Sequence, residues 1–146
     1  MPYLQLHYHL VWTTLNREPW IQPEVEEAVH RFLWEKALEL DARVFAVNGT
    51  ADHVHMVVSI PPKIAVARLV GQVKASSSAR INRAPWMAHR FRWQSEYGAF
   101  TIGRKQLNKV VEYVKRQKQH HAAGTTIPIL ERDQETSTAG QADGRR

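Results

Sequence analysis

From His53 to Ile60 an apolar residue falls on every second position: Val54, Met56, Val58 and Ile60 alternate with His53, His55, Val57 and Ser59. A period of two marks a strand with one face in a core, so the imidazoles of His53 and His55 share the face opposite Val54 and Met56. Spaced one residue apart, they sit roughly 7 Å from each other and converge on a single ion where the strand twists locally. The fold must therefore bury one side of this strand and leave the histidine side facing something that can use it.

The flanking segments supply that fold. Tyr3 to Thr14 alternates as well, with Leu4, Leu6, Tyr8, Leu10 and Trp12 on one side, and predicts a half-buried strand. Pro23 with Glu24, Glu26 and Glu27 starts a helix with acids at its positive end. Its apolar stripe runs through Val25, Val29, Phe32, Leu33, Ala37 and Leu40 and ends near Asp41. Arg43–Asn48 and His53–Ile60 then form an antiparallel hairpin through Asn48-Gly49-Thr50-Ala51-Asp52. Pro61-Pro62 closes it, and a second helix runs from Ile64 to about Asn82 with Val66, Val70, Val73 and Ile81 inward. Its other side sets small residues, Ala67, Gly71 and Ser78, around Lys74, which suits helix packing or the approach of a nucleic-acid backbone equally well. Phe91, Trp93 and Tyr97 to Ile102 predict a last strand. After Gly103, Leu107 to His121 forms a terminal helix on Leu107, Val110, Val111 and Val114. The order βαββαβα is α+β, the ferredoxin-like split βαβ arrangement with an additional C-terminal helix.

At 146 residues the chain makes one domain, residues 1–130, followed by a polar tail, residues 131–146, in which no apolar residue is larger than alanine and disorder is expected. The absence of cysteine excludes disulfides, thiolate nucleophiles and Cys-based zinc sites. No basic-then-apolar leader and no membrane-length run occurs, so a cytoplasmic address with no membrane partner is expected. The net charge of +6 is unevenly spread. Residues 1–62 hold four Lys/Arg against eight acids, whereas residues 63–120 hold thirteen against Glu96 and Glu112 alone. A basic block of that kind is the footprint of a polyanion, most often nucleic acid. Lys74, Arg80, Lys109, Lys115 and Arg116 are the candidate phosphate contacts.

On the terminal helix Lys109, Tyr113, Gln117 and His120 recur at three- and four-residue spacing, which presents a phenol, an amide and basic groups together. His53, His55 and the Gln117 amide oxygen would leave positions open on an octahedral ion for water and phosphate oxygens. That set suits Mg²⁺ or Mn²⁺, the nitrogens favouring Mn²⁺. Tyr113 would then attack a phosphodiester, its phenolate favoured by the cation or by Lys109. A second pair, His7 and His9, is a decoy in which His9 at most supports the metal ligands.

His53-Val54-His55 preceded by Asp52, Trp93-Gln94 followed by Tyr97-Gly98-Ala99-Phe100, and Tyr113 four residues before Gln117 with His120-His121 behind it closely resemble the single-tyrosine HUH transposases. These are the TnpA-type transposases of small insertion sequences and the REP-associated tyrosine transposases, and the resemblance covers about residues 3–121. It departs at Ser95-Glu96, where the family often has a glycine, and at Leu15-Asn16-Arg17. The resemblance implies a ferredoxin-like domain that cleaves and rejoins single-stranded DNA at hairpin ends. It assigns Tyr113 as nucleophile, leaving a 5′-phosphotyrosine and a free 3′-OH, and His53, His55 and Gln117 as metal ligands. It also implies a homodimer in which the tyrosine helix of one subunit completes the other's site, although the REP-associated relatives can work as monomers; Gly103, between the last strand and that helix, can act as the swivel for such an exchange. The alternatives are a domesticated relative or a non-catalytic protein that binds single-stranded DNA hairpins. An iron site using Asp52 is disfavoured, because adjacent strand residues point to opposite faces.

Overall fold

A computed structural model describes residues 4–134. Its elements are β1 (His7–Thr13), α1 (Pro23–Glu39), β2 (Arg43–Thr50), β3 (His53–Ser59), α2 (Val66–Arg83), β4 (Gly98–Ile102), α3 (Leu107–Lys115) and α4 (Gln117–Ala123), followed by a 3-10 turn, Pro128–Glu131. The four strands form one antiparallel sheet in the order β2-β3-β1-β4, which is the ferredoxin-like topology that the βαββαβ order implies.

The two faces of the sheet do different work. Leu10, Trp12, Val54, Met56 and Val58 meet Val29, Phe32 and Leu33 of α1 and Leu69, Val70, Val73 and Ile81 of α2 in the main core. Truncating one of its large side chains, such as Trp12, would cost about 3–5 kcal/mol. The alternate residues His9, Val11, Thr13, His53, His55 and Val57 lie on the other face, beneath α3, where Val57 and Ala46 pack with Tyr113 and Val114. β3 is thus buried on both sides down to Val58, and its histidines are interior groups with little access to solvent.

Three elements differ from the sequence reading. β1 begins at His7, after Leu4, Gln5 and Leu6, and Tyr3 lies outside the described residues. Phe91 and Trp93 are core residues outside the last strand: Trp93 makes only an isolated bridge to Thr14, and Asn82 holds Phe91 by bonds to its backbone O (3.0 Å) and from its N–H (2.7 Å). The terminal helix is two pieces, broken at Arg116 (φ −106°, ψ 25°). The cause is Asn48 on β2. Its amide donates to Lys115 O at 2.9 Å and its Oδ1 accepts from Lys118 Nζ at 2.8 Å, which draws a carbonyl out of the helical ladder.

After α4 the chain turns back at Gly124, whose φ of 69° favours glycine. It then runs against β4, and a Cβ on Gly98 would lie 1.8 Å from Arg132 O, so only glycine permits the contact. The 3-10 turn therefore closes over α3, straddling the expected domain boundary at residue 130. Residues 135–146, most of the expected tail, lie outside the described residues.

Candidate active site

β3 is central in the sheet, and its register sets His53 across from Thr13 and His55 across from Val11 on the α3 side. Local twist brings the two rings to 5.1 Å between centroids. Each imidazole is oriented from behind through Nδ1. His53 Nδ1 lies 2.8 Å from Asp52 Oδ1 and 2.9 Å from Thr50 Oγ1, and Thr50 in turn donates to Asp52. His55 Nδ1 lies 2.7 Å from His9 Nε2. Both Nε2 atoms thus face the α3 side, the arrangement that metal-binding histidines need.

α3 and α4 supply the opposite wall. Gln117 Oε1 is 3.2 Å from His53 Nε2 and 3.0 Å from His121 Nε2. Tyr113 is 5 % exposed; its ring stacks on His120 at 4.5 Å and stands edge-on to His55 at 6.3 Å. Its hydroxyl accepts from Ile127 N–H at 2.9 Å and donates to Glu131 Oε2. Glu131 gathers the whole site. Its Oε1 lies 3.1 Å from His55 Nε2, 3.5 Å from His53 Nε2 and 3.3 Å from His121 Nε2, while Oε2 also accepts from Gln117 at 3.0 Å.

The electrostatics follow from burial and from these carboxylates. Burial alone would push His53 down, but bonds to Asp52, Glu131 and Gln117 outweigh it and raise the imidazole to about 9. Burial opposes the ionised Asp52 too, yet the His53 bond prevails and brings that carboxyl to about 2. His55 and His9 are both lowered by burial, His9 to about 3, so both stay neutral. Burial would raise Glu131, but bonds from His53 and His55 together pull it well below the usual carboxylate range. Burial and then the Glu131 bond raise Tyr113 to about 12, so without a compensating cation the phenol is un-ionised at neutral pH.

The donor set fits a divalent ion. One ligand atom each from His53, His55 and Glu131 lies within 4.8 Å of the others, two neutral nitrogens and an oxygen matched to Mn²⁺ or Mg²⁺. Binding would displace the proton that His53 otherwise carries.

Tyr113, His53, His55 and Gln117 are thus brought together within one chain. Of the expected phosphate contacts, Lys109 and Arg116 line a cavity of about 430 Å³ together with Tyr113 and His120, whereas Lys74 and Arg80 are engaged elsewhere. Lys74 Nζ donates to Gln94 O (2.6 Å) and Glu96 O (2.9 Å), and burial lowers it to about 8. Arg80 pairs with Glu35 at 2.7 Å over the Phe32 ring. Lys115 is exposed on α3. Gly103 is extended, with φ −70° and ψ 153°. Sequence reasoning missed Glu131 and His121, and underrated His9 and Asp52. The available signal for Glu131 was Ile127, Ile129 and Leu130, an apolar run where a polar tail was about to begin; Leu130 packs on the second core cluster.

The fold is shared with solved transposases. A putative transposase from Deinococcus radiodurans R1 superposes with a TM-score of 0.61 at 21% identity, over 80% of this chain and 95% of that one. A REP-associated tyrosine transposase bound to a REP hairpin also gives 0.61, at 11% identity, over 86% and 76%. Residues 2–117 match the family described as "Transposase IS200 like", and the chain belongs to that family of transposases. The transposase for insertion sequence element IS200 from Salmonella typhimurium is 28% identical over 127 residues, 84% of this chain and 83% of its own length. The ISDra2 transposase TnpA of Deinococcus radiodurans is 25% identical over 118 residues, 77% and 84%.

Proposed function

We propose that the chain cleaves and rejoins single-stranded DNA at hairpin ends, with Tyr113 as nucleophile and a divalent ion on His53 and His55. One observation carries this reading. The two oxygens of the Glu131 carboxylate bridge the Tyr113 hydroxyl to the His53/His55 pair, so an oxyanion of similar bite, such as a phosphodiester, fits the same span. Tyr113 Oη would attack phosphorus as the bond to the 3′ oxygen breaks. The phenol proton goes to a base, the DNA is left as a 5′-phosphotyrosine, and the departing 3′ oxygen takes up a proton. A later attack by a 3′-OH on that linkage restores the tyrosine and rejoins the strand. An ion held by His53, His55 and an oxygen of Glu131 or Gln117 would supply positive charge for the phosphate and for phenolate. Asp52 and His9 fix the ring orientations, and α3 excludes water. The assembly is proposed as a homodimer in which each protomer carries its own complete site.

Binding without cleavage, in a domesticated relative, has one observation in its favour: Glu131 and the 3-10 turn cover Tyr113. A labelled single-stranded hairpin decides between the two. Cleavage by wild type that is lost with chelator and in Tyr113→Phe, with binding kept, supports the transferase. Binding by wild type with no cleavage in Mn²⁺ or Mg²⁺ supports the binder.

A further inference from the structure

α4 carries Gln117 into the site, yet its own sequence gives it little to hold on with. Gln117 is its one buried residue, and a helix of 7 residues does not hold itself in water. Inside the site the ring of His120 rests on Tyr113. Outside it, α4 is tied down by polar contacts to Asn48 and Glu26. The β2–β3 register sets Asn48 directly across from His55, so both side chains lie on the α3 face of the sheet. Gly49 N–H donates to Asn48 Oδ1 at 2.9 Å, which keeps that oxygen toward Lys118 Nζ (2.8 Å) and the amide nitrogen toward Lys115 O (2.9 Å). The reverse orientation would set the amide nitrogen against two donors and its oxygen against a carbonyl. Lys118 Nζ also pairs with Glu26 Oε2 on α1 at 2.6 Å. Asn48, Lys118 and Glu26 thus form a clasp that joins β2, α4 and α1.

We propose that this clasp is a positioning device for metal binding, in which Asn48 sets the direction of Gln117 and so holds its amide oxygen 3.2 Å from His53 Nε2. In an unbroken helix Gln117 would follow Tyr113 by one turn, and the two side chains would be aimed together. Lys115 O is the carbonyl that such a helix would use to bond residue 119. With that carbonyl drawn to Asn48, Arg116 leaves helical geometry and Gln117 becomes the first residue of α4. The break uncouples the pair. Tyr113 is aimed by α3, whose Val114 packs with Ala46 and Val57, and Gln117 is aimed by the clasp. Asn is a poor strand former, so its place on β2 has a cost that this contact offsets. The inference rests on the proposed metal reading, in which Gln117 is a ligand, and adds the residue that makes it one.

The test is titration of the full chain with Mn²⁺, without DNA, reading the free ion by its electron paramagnetic resonance signal. Gln117→Ala and Asn48→Ala should each weaken Mn²⁺ binding, Asn48→Ala by roughly ten- to a hundredfold. The double variant should bind no more weakly than Gln117→Ala alone. Lys118→Glu is the second variant, at an exposed position. Its added negative charge would by itself draw a cation in, whereas opening the clasp should weaken Mn²⁺ binding roughly two- to fivefold. Melting curves check the fold, and Lys118→Glu decides alone should Asn48→Ala not fold. Wild-type affinity in Asn48→Ala or in Lys118→Glu overturns the clasp and leaves Gln117 a ligand. Additive losses in the double variant overturn it as well, because Asn48 would then act by another route, such as His55 beside it. If Gln117→Ala binds Mn²⁺ as wild type does, Gln117 is no ligand and the clasp falls with it. If wild type binds no Mn²⁺, the metal reading itself falls.

Discussion

His53 sits between the carboxylates of Asp52 and Glu131 and is raised to about 9. In the unfolded chain its value is about 6.5, so the bonds to its imidazolium stabilise the fold fully below that pH, and this contribution is lost as pH rises through 9. The interval corresponds to about 3 kcal/mol. Urea unfolding in chelator should therefore show stability falling from about pH 6 to about pH 9.5, with His53→Ala flattening the change; stability that rises over the window would contradict the assignment. At this scale much of the site was legible. His53 and His55 follow from strand alternation, and Tyr113 and Gln117 from helical spacing. His9 was harder to read, because the β1–β3 register sets it on Val57, diagonal to His55, and register is not visible in a linear pattern. Glu131 was harder still, since its role depends on a chain reversal at Gly124 and a backbone contact at Gly98, and the apolar run Ile127, Ile129 and Leu130 marks at most that the segment packs.

Among the elements, the 3-10 turn Pro128–Glu131 has the largest consequence. It contributes Glu131 to the histidines and the tyrosine, and Ile127 just before it holds the Tyr113 hydroxyl. On the proposed reaction, the Glu131 carboxylate occupies the span that a phosphodiester would take, and DNA would have to displace it. A chain ending after Thr126 keeps Gln117 on His53 and removes that competition. Hydrogen bonds of this kind are worth about 1–3 kcal/mol, so single-turnover attachment of DNA to the shortened chain should quicken roughly five- to a hundredfold. A slower reaction with weaker Mn²⁺ binding by calorimetry would instead make Glu131 a required ligand. The shortened chain also loses Leu130 from the second core cluster and should melt lower. The order of elements followed from periodicity. The break at Arg116 did not, because it is imposed by Asn48 from another strand.

At the level of the whole molecule, one chain supplies His53, His55, Tyr113 and Gln117 to one site, so exchange of tyrosine helices between protomers is not needed. Mixing Tyr113→Phe with His53→Ala protein should then recover no cleavage despite subunit exchange; recovery would show that sites are completed across a dimer. No helix among the described residues is long and apolar enough to cross a membrane. The basic block seen in the sequence is carried by α2, the segment after it, α3 and α4. The central claim is that Tyr113 forms a covalent bond to DNA, and the most direct measurement is mass spectrometry of the digested protein after reaction with a single-stranded hairpin and Mn²⁺. The account predicts a nucleotide joined through phosphate to the peptide carrying Tyr113, absent in chelator and in Tyr113→Phe. Cleaved DNA with that peptide unmodified, or with the adduct on another residue, would contradict it.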